Sequence, residues 1–298
     1  MKVWIEACRP RTLPLSAAGV MIAAGLAAYW GYFRVSVFVI MLLMVLLLQI
    51  MANFADEYGD LGHGADNESR VGPKRGMQRG EITKETMKRA LVVVGVLCAA
   101  LMIALLLVSF GLSHWDYMAI FVALGALCII GAIKYTVGRG AYGYRALGDL
   151  ATMLFFGLIA VVGGFFLYSL QLVPVVFLPA VGLGCLAVGV LNLNNMRDRE
   201  TDAAAGKKTI AVMLGRRGAV VYHSLLLSIG VACFIAFPLV IGVANPLRWL
   251  YLLLAVPILV QLSRTLRVTE LADYDSLMRP LSMNTALLAL AFALCMGI

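Results

Sequence analysis

The stretch QIMANFADEYGDLGHGADNESRVGPKRGMQRG, residues 49–80, begins in a run too apolar for a soluble chain and ends in a loop crowded with charge. At the changeover stand Asn53, Asp56, Glu57 and Asp60. Their i, i+3, i+4, i+7 spacing puts all four on one face of a helix. Three carboxylates on one face repel one another, so a positive species is expected against them. Oxygen donors with no Cys or His beside them favour a hard cation, Mg²⁺ before Ca²⁺. Mg²⁺ shares its shell with a few carboxylates, waters and substrate phosphates. Lys74, Arg75 and Arg79 follow in the loop and are candidates for the remaining phosphate charge.

The composition sets the surroundings. Of 298 residues, 62% are hydrophobic and 13% charged, and the mean hydropathy is +0.93. A soluble domain carries roughly 25% charged residues; this is the composition of a polytopic membrane protein. The net charge of +8 would point to nucleic acid in a soluble chain. Here the basic residues sit in short loops between apolar runs, so membrane orientation accounts for them and no nucleic-acid partner is expected. The six cysteines form no CxxC pair and read as small packing residues. His63, His114 and His223 match no ligand spacing and read as loop or interfacial residues.

Runs of about 20 apolar residues suffice to span a bilayer. Nine are expected, near 13–30, 36–54, 89–110, 117–136, 149–169, 174–193, 219–242, 247–264 and 281–298, giving an all-α membrane fold. Residues 1–12 suit a short interfacial helix ahead of the first span. No cleavable signal is read at the N-terminus. Twenty-two of the 24 Lys and Arg fall in alternate loops, and only Arg34 and Arg248 fall in the others. The positive-inside bias therefore places the N-terminus in the cytoplasm and, after nine spans, the C-terminus outside.

The loops after the second and sixth spans are built alike. The second copy reads Asn192-Leu193-Asn194-Asn195-Met196-Arg197-Asp198, with Asp202 and then Gly206-Lys207-Lys208-Thr209. Asn194, Asp198 and Asp202 fall at i, i+4 and i+8, again one helical face. Two such stations four helices apart suggest a degenerate repeat within a single domain: four-helix units near 13–136 and 149–264, with 281–298 added. Packed face to face, the units would bring both stations to one cavity able to hold Mg²⁺ and a diphosphate. A third constellation follows the fourth span: Lys134-Tyr135-Thr136, Gly138-Arg139-Gly140, Tyr142-Gly143-Tyr144 and Gly148-Asp149. Its glycines suit a tight re-entrant turn, and Lys134 and Tyr135 are candidates for an aromatic substrate or its carboxylate. Phe155-Phe156 and Phe165-Phe166 read as packing or lipid-facing pairs, Gly163-Gly164 and Gly182-x-Gly184 as close helix contacts. Asp273, Asp275 and Arg279-Pro280 read as a polar loop.

Taken together these motifs resemble the UbiA superfamily of intramembrane aromatic prenyltransferases, and within it the 1,4-dihydroxy-2-naphthoate branch. The carriers are Arg9-Pro10-x-Thr12-Leu13-Pro14-Leu15, Asn53-x-x-Asp56-Glu57-Tyr58-x-Asp60, Gly72-Pro73-x-x-Gly76, Tyr135-Thr136-x-Gly138, Tyr142-Gly143-Tyr144, Leu147-Gly148-Asp149, and Asn192 to Asp202 with Gly206-Lys207-x-Thr209. The resemblance implies nine helices around a central cavity open laterally to lipid, in the bacterial inner membrane. It implies Mg²⁺-dependent transfer of a polyprenyl group from polyprenyl diphosphate to 1,4-dihydroxy-2-naphthoate with decarboxylation, giving demethylmenaquinone in menaquinone biosynthesis. The metal set carried over is Asp56, Glu57, Asp60, Asp198 and Asp202, with Asn53 and Tyr135 completing the catalytic group. The substrate set is Arg9, Lys74, Arg75, Arg79, Lys134, Tyr142, Tyr144, Asp149, Asn192, Asn195, Arg197 and Lys207. The naphthoate branch usually reads Asn-Asp where this chain has Asp56-Glu57, which leaves the ligand at that step open between the two.

Three other readings compete. Benzoate, haem or chlorophyll prenyltransferases share the fold, but the Tyr135-Thr136 turn departs from the Tyr-Pro turn usual in the benzoate branch. A cation transporter with paired gates would place its acids at the midplane, in inverted repeats; here both stations lie at one end. A CDP-alcohol phosphotransferase lacks its expected Asp, Gly and Ala-Arg run.

Overall fold

A computed structural model describes residues 2–63, 74–138 and 140–297. Gly72-Pro73, Arg70 and Arg139, all counted above, lie outside the described residues. The described chain is helical, with no named strand. A short amphipathic α1 (Lys2–Ala7) precedes α2 (Leu13–Tyr29), α3 (Val35–His63), α4 (Lys84–Phe110) and α5 (Trp115–Lys134). Then follow α6 (Gly148–Ser169), α7 (Pro174–Arg197), the short α8 (Arg199–Ala204), α9 (Ile210–Val240), α10 (Pro246–Thr265) and α11 (Tyr274–Gly297). Eight of these are long and apolar enough to cross a membrane, and the apolar α2, at 17 residues, makes the ninth. Valines and leucines such as Val92, Val96, Leu239 and Leu253 stand more than half exposed, as a lipid-facing surface requires.

Lipid tails are as apolar as leucine, so helices in a bilayer associate by close packing at small residues. A Cβ on Gly25 of α2 would lie 2.4 Å from the Ala293 Cα of α11. One on Gly157 of α6 would meet the Ala180 carbonyl of α7 at 2.6 Å, and one on Gly182 the Gly230 carbonyl of α9 at 3.1 Å. These approaches draw α2, α7 and α11 into the middle of the bundle, where most of α2 and α7 and much of α11 are buried. Helix ends are satisfied by caps: Thr83 and Thr209 accept from the amides of Thr86 and Val212. At the end away from the acidic stations, Arg34 donates to the carbonyls of Val108 (3.0 Å) and Leu167 (2.7 Å), closing the last turns of α4 and α6.

Several boundaries differ from the periodicity. The helix α3 continues to His63, because its polar face is buried rather than solvated. In α6, residues Met153–Gly163 run as a π-helix, a form frequent at functional sites. The start of α9 is broken at Gly215, whose φ of 66° no other residue adopts easily. Asp275 and Arg279, expected in a loop, lie in the first turns of α11, and Pro280 falls inside that helix, where it offers no amide to the Ser276 carbonyl. His223 is not a loop residue: it is fully buried in α9.

Candidate active site

The last turns of α3 are held from three sides. Asn53 donates to the Cys8 carbonyl (2.8 Å) and the Thr12 hydroxyl (3.2 Å), and accepts from Gln49 (3.2 Å). Gln49 in turn accepts from the Ser16 hydroxyl at 2.6 Å. Asp56 accepts from Arg9 at 3.1 Å; the Arg9 backbone is left-handed, with φ of 49°. Glu57, almost fully buried, accepts from the Met77 amide at 2.7 Å and so pins the turn after Arg75. Asp60 takes Arg75 at 2.9 Å on one oxygen and the Tyr144 hydroxyl at 2.8 Å on the other. The one-faced spacing thus gathers the N-terminal segment, the basic turn and the tyrosine turn around one helix end.

The second station is not one continuous helix. After α7 ends at Arg197, Asp198 leaves helical geometry and α8 restarts. Buried Arg197 causes the bend to close on itself: its guanidinium binds both Asp198 oxygens (2.7 and 2.6 Å), Asn194 (2.8 Å) and Asp275 of α11. Asp202 lies on the far side of the bend, one oxygen 3.5 Å from Lys207 Nζ. Its other oxygen, Oδ2, is buried with no hydrogen-bond partner among the described residues. Burial pushes the Asp202 carboxyl up to about 6 against the pull of Lys207. A carboxylate so short of positive charge is what a cation site offers.

The two stations meet. Lys207 Nζ stands 5.4 Å from the centre of the Tyr144 ring, whose hydroxyl is on Asp60. The Lys208 amide donates to the Tyr144 carbonyl at 3.1 Å. Asp60, Tyr144, Lys207 and Asp202 therefore form one chain of contacts across the bundle.

A cavity of about 900 Å³ opens between them. Its polar end is lined by Asn53, Asp56, Glu57 and Asp60 on one side and Asn195, Arg197, Asp198 and Asp202 on the other. Arg9, Lys74, Arg75, Arg79, Lys207 and Tyr135 with Tyr142 complete that end. From there an apolar arm runs down the bundle between α3, α4, α5 and α6. Arg79 reaches the rim already paired with Glu6 (2.7 Å) and Glu81 (2.5 Å). Tyr142 donates to the Gly131 carbonyl at 2.7 Å and holds the Tyr135 ring edge-on at 5.4 Å.

Four of the expected substrate residues do not line the cavity. Lys134 is exposed outside it. Asn192 is buried and donates to the Ala219 carbonyl of α9 at 3.0 Å, a packing contact. Asp149 accepts from Tyr222 at 2.9 Å behind the wall. Tyr144 sits between the stations with its hydroxyl on Asp60. Conversely Phe155 and Phe156, read as packing or lipid-facing, line the cavity, as do Cys98 and Cys128. Sequence reasoning missed Gln49, Arg11 and Arg279 as wall residues. Gln49 was findable, since it extends the Asn53 face by one turn; Arg11 and Arg279 reach the wall only through the packing of α11 on the N-terminal segment, where Ser282 donates to the Arg11 carbonyl.

The residues present fit Mg²⁺. Among the described residues no three His, Cys, Asp or Glu cluster tightly enough to hold an ion unaided. Carboxylates on both sides of the cavity, among them an Asp202 oxygen with no partner among the described residues, suit an ion that takes part of its shell from phosphate.

A bundle of membrane-spanning helices that joins paired acidic stations to a long apolar arm defines an intramembrane enzyme for an amphiphile with an anionic head. The UbiA prenyltransferase family model matches residues 12–288, and the chain belongs to that family. It is 42% identical to the 1,4-dihydroxy-2-naphthoate octaprenyltransferase of Escherichia coli, over 88% of this chain and 84% of that one. It is 41% identical to the protein of that name from Haemophilus influenzae, over 87% and 83%. Among solved structures it resembles a UbiA homologue from Aeropyrum pernix (TM-score 0.67, 18% identity, 96% and 94% covered). It also resembles one from Archaeoglobus fulgidus described as bound to DMAPP and Mg²⁺ (TM-score 0.61, 17% identity, 96% and 98% covered). At these identities the structures speak for the fold.

Proposed function

We propose that this chain transfers a polyprenyl group from polyprenyl diphosphate to 1,4-dihydroxy-2-naphthoate, with loss of the carboxyl group as carbon dioxide. The observation that carries the reading is the single cavity in which charged stations and an apolar arm are continuous; likeness to the naphthoate enzymes names the acceptor. Asp60, Asp198 and Asp202, with Glu57 or Asp56, would hold Mg²⁺. The ion, when bound, supplies neutralisation of the charge that develops on the departing diphosphate. Arg75 and Lys207, already at the acids, orient the phosphates, and Arg9 presents a buried Nη2 that has no partner among the described residues. The allylic carbon–oxygen bond breaks, its electron pair leaving with the diphosphate. The electron-rich ring carbon then bonds to the prenyl carbon, and the ring–carboxyl bond breaks, carbon dioxide leaving while the bonding pair passes to the ring. Apolar walls keep water from the allylic cation.

In membranes supplied with Mg²⁺ and a polyprenyl diphosphate, 1,4-dihydroxy-2-naphthoate is expected to give a prenylated, decarboxylated product by mass spectrometry, and 4-hydroxybenzoate little. Turnover of the benzoate with the naphthoate inert would overturn the acceptor and leave the fold and metal site standing.

The charged end is assigned to the cytoplasm on the lysine and arginine bias. In a background lacking the six native cysteines, Lys74→Cys and Ala204→Cys should react with a membrane-impermeant maleimide only from the cytoplasmic side. Ala244→Cys should react only from the other. Ala204 and Ala244 labelling from the same face would refute this orientation.

A further inference from the structure

A second groove, of about 360 Å³, lies on the outside of the bundle and shares no lining residue with the cavity. Trp4 of α1, Phe54 of α3 and Ala90, Val93 and Val94 of α4 line it, and Arg89 is its one charged residue among the described ones. The Trp4 and Phe54 rings meet edge-on with centroids 5.5 Å apart, where α1 rests on α3. On α4 the lining residues, from Thr86 through Arg89-Ala90 to Val93-Val94, recur three or four apart and form one strip of the helix. The strip begins in the charged first turns of α4, among Lys84, Glu85, Lys88 and Arg89. It ends among lipid-facing valines, Val93 being 58% and Val96 63% exposed. From Thr86 to Val94 it covers about 12 Å at 1.5 Å per residue, close to the roughly 15 Å of hydrocarbon in one leaflet. The groove thus runs from headgroup level into the acyl region, with a tryptophan at the interface.

Arg89 is exposed and has neither an ion pair nor a hydrogen bond among the described residues. Glu85, one turn earlier, makes no ion pair with it, and the nearby acids of the N-terminal side, Glu6 and Glu81, are taken by Arg79. An anionic head at Arg89 with an acyl chain below it complements both halves of the groove.

We propose that this groove seats an anionic phospholipid, its phosphate on Arg89 and one acyl chain along Phe54, Ala90, Val93 and Val94. The inference stands apart from the prenyl-transfer reading. Apolar contact selects no particular lipid, because a tail moving into the groove exchanges one apolar neighbour for another. Selection falls to the headgroup, where one arginine near an anionic surface gives about a fivefold preference. The lipid touches the ring pair that seats α1 on α3, and α1 leads directly into Arg9, which binds Asp56 at the charged end of the cavity.

The test places the full chain in nanodiscs of mixed phosphatidylglycerol and phosphatidylcholine and reads the lipids it retains by native mass spectrometry. The wild type should retain phosphatidylglycerol in preference. Arg89→Gln should lower that preference about fivefold. Lys84→Gln removes an equally exposed cation from the start of the same helix, outside the groove, and should leave it unchanged. Val93→Trp, at a lipid-facing position, fills the groove and should lower retention of both lipids. No preference in the wild type would overturn the proposal. Equal losses in Arg89→Gln and Lys84→Gln would also overturn it, leaving only the general attraction of a basic surface. Displacement of the retained phosphatidylglycerol by a non-cleavable prenyl thiolodiphosphate would give the groove to the prenyl donor instead.

Discussion

Asp202→Asn is expected to lower kcat by on the order of 10²–10³-fold, the scale of removing one pre-positioned group from developing charge. The variant keeps the shape of the carboxylate and can still accept from Lys207, yet it removes the charge from the oxygen that lies buried with no partner among the described residues. Asp60→Asn should be comparably impaired, since it strips the charge from a carboxyl that faces the cavity between Arg75, at 2.9 Å, and the Tyr144 hydroxyl. Initial rates against Mg²⁺ concentration, in membranes matched for protein, give the measurement. If the carboxylates hold the ion, the Mg²⁺ requirement rises along with the loss of kcat. Wild-type rates at ordinary Mg²⁺ in both variants would remove the stations from the chemistry.

The Asp56-Glu57 step should split sharply. Glu57→Gln is expected to cost about 10²-fold or more, and Asp56→Asn little. An amide side chain at position 56 still accepts from Arg9, so the contact that holds the N-terminal segment to α3 survives the loss of charge. In the Glu57→Gln variant the side-chain carbonyl can still accept from the Met77 amide, so the turn after Arg75 stays in place and only the charge is lost. Glu57→Asp should remain active with an altered Mg²⁺ demand. The alternative has its own signature. If Glu57 only anchors the turn, Glu57→Gln is near normal and Glu57→Ala collapses; a dead Asp56→Asn beside it would move the ligand one residue back.

What the sequence determined by itself was what depends on composition and local spacing. A bilayer forces backbone polar groups into helices, so apolar runs of sufficient length name the spans almost without reference to their neighbours. The i, i+3, i+4, i+7 pattern placed Asn53, Asp56, Glu57 and Asp60 together because α3 remains a helix through them. At the second station the same spacing placed Asn194, Asp198 and Asp202 on one cavity wall, but not the bend at Asp198, where Arg197 binds Asp198, Asn194 and Asp275 together. No local pattern distinguishes Phe155 in the wall from Phe165 in the core, for both stand in equally apolar runs. Nor does one say that Asn192 binds a carbonyl of α9 while Asn195, three residues on, faces the cavity. Those outcomes turn on which helix lies opposite, and the glycine contacts that decide it pair residues remote in the chain, such as Gly25 with Ala293. Chemistry that rides on one helix was legible in one dimension; the joining of Asp60 to Asp202 through Tyr144 and Lys207 exists only once three distant segments have packed.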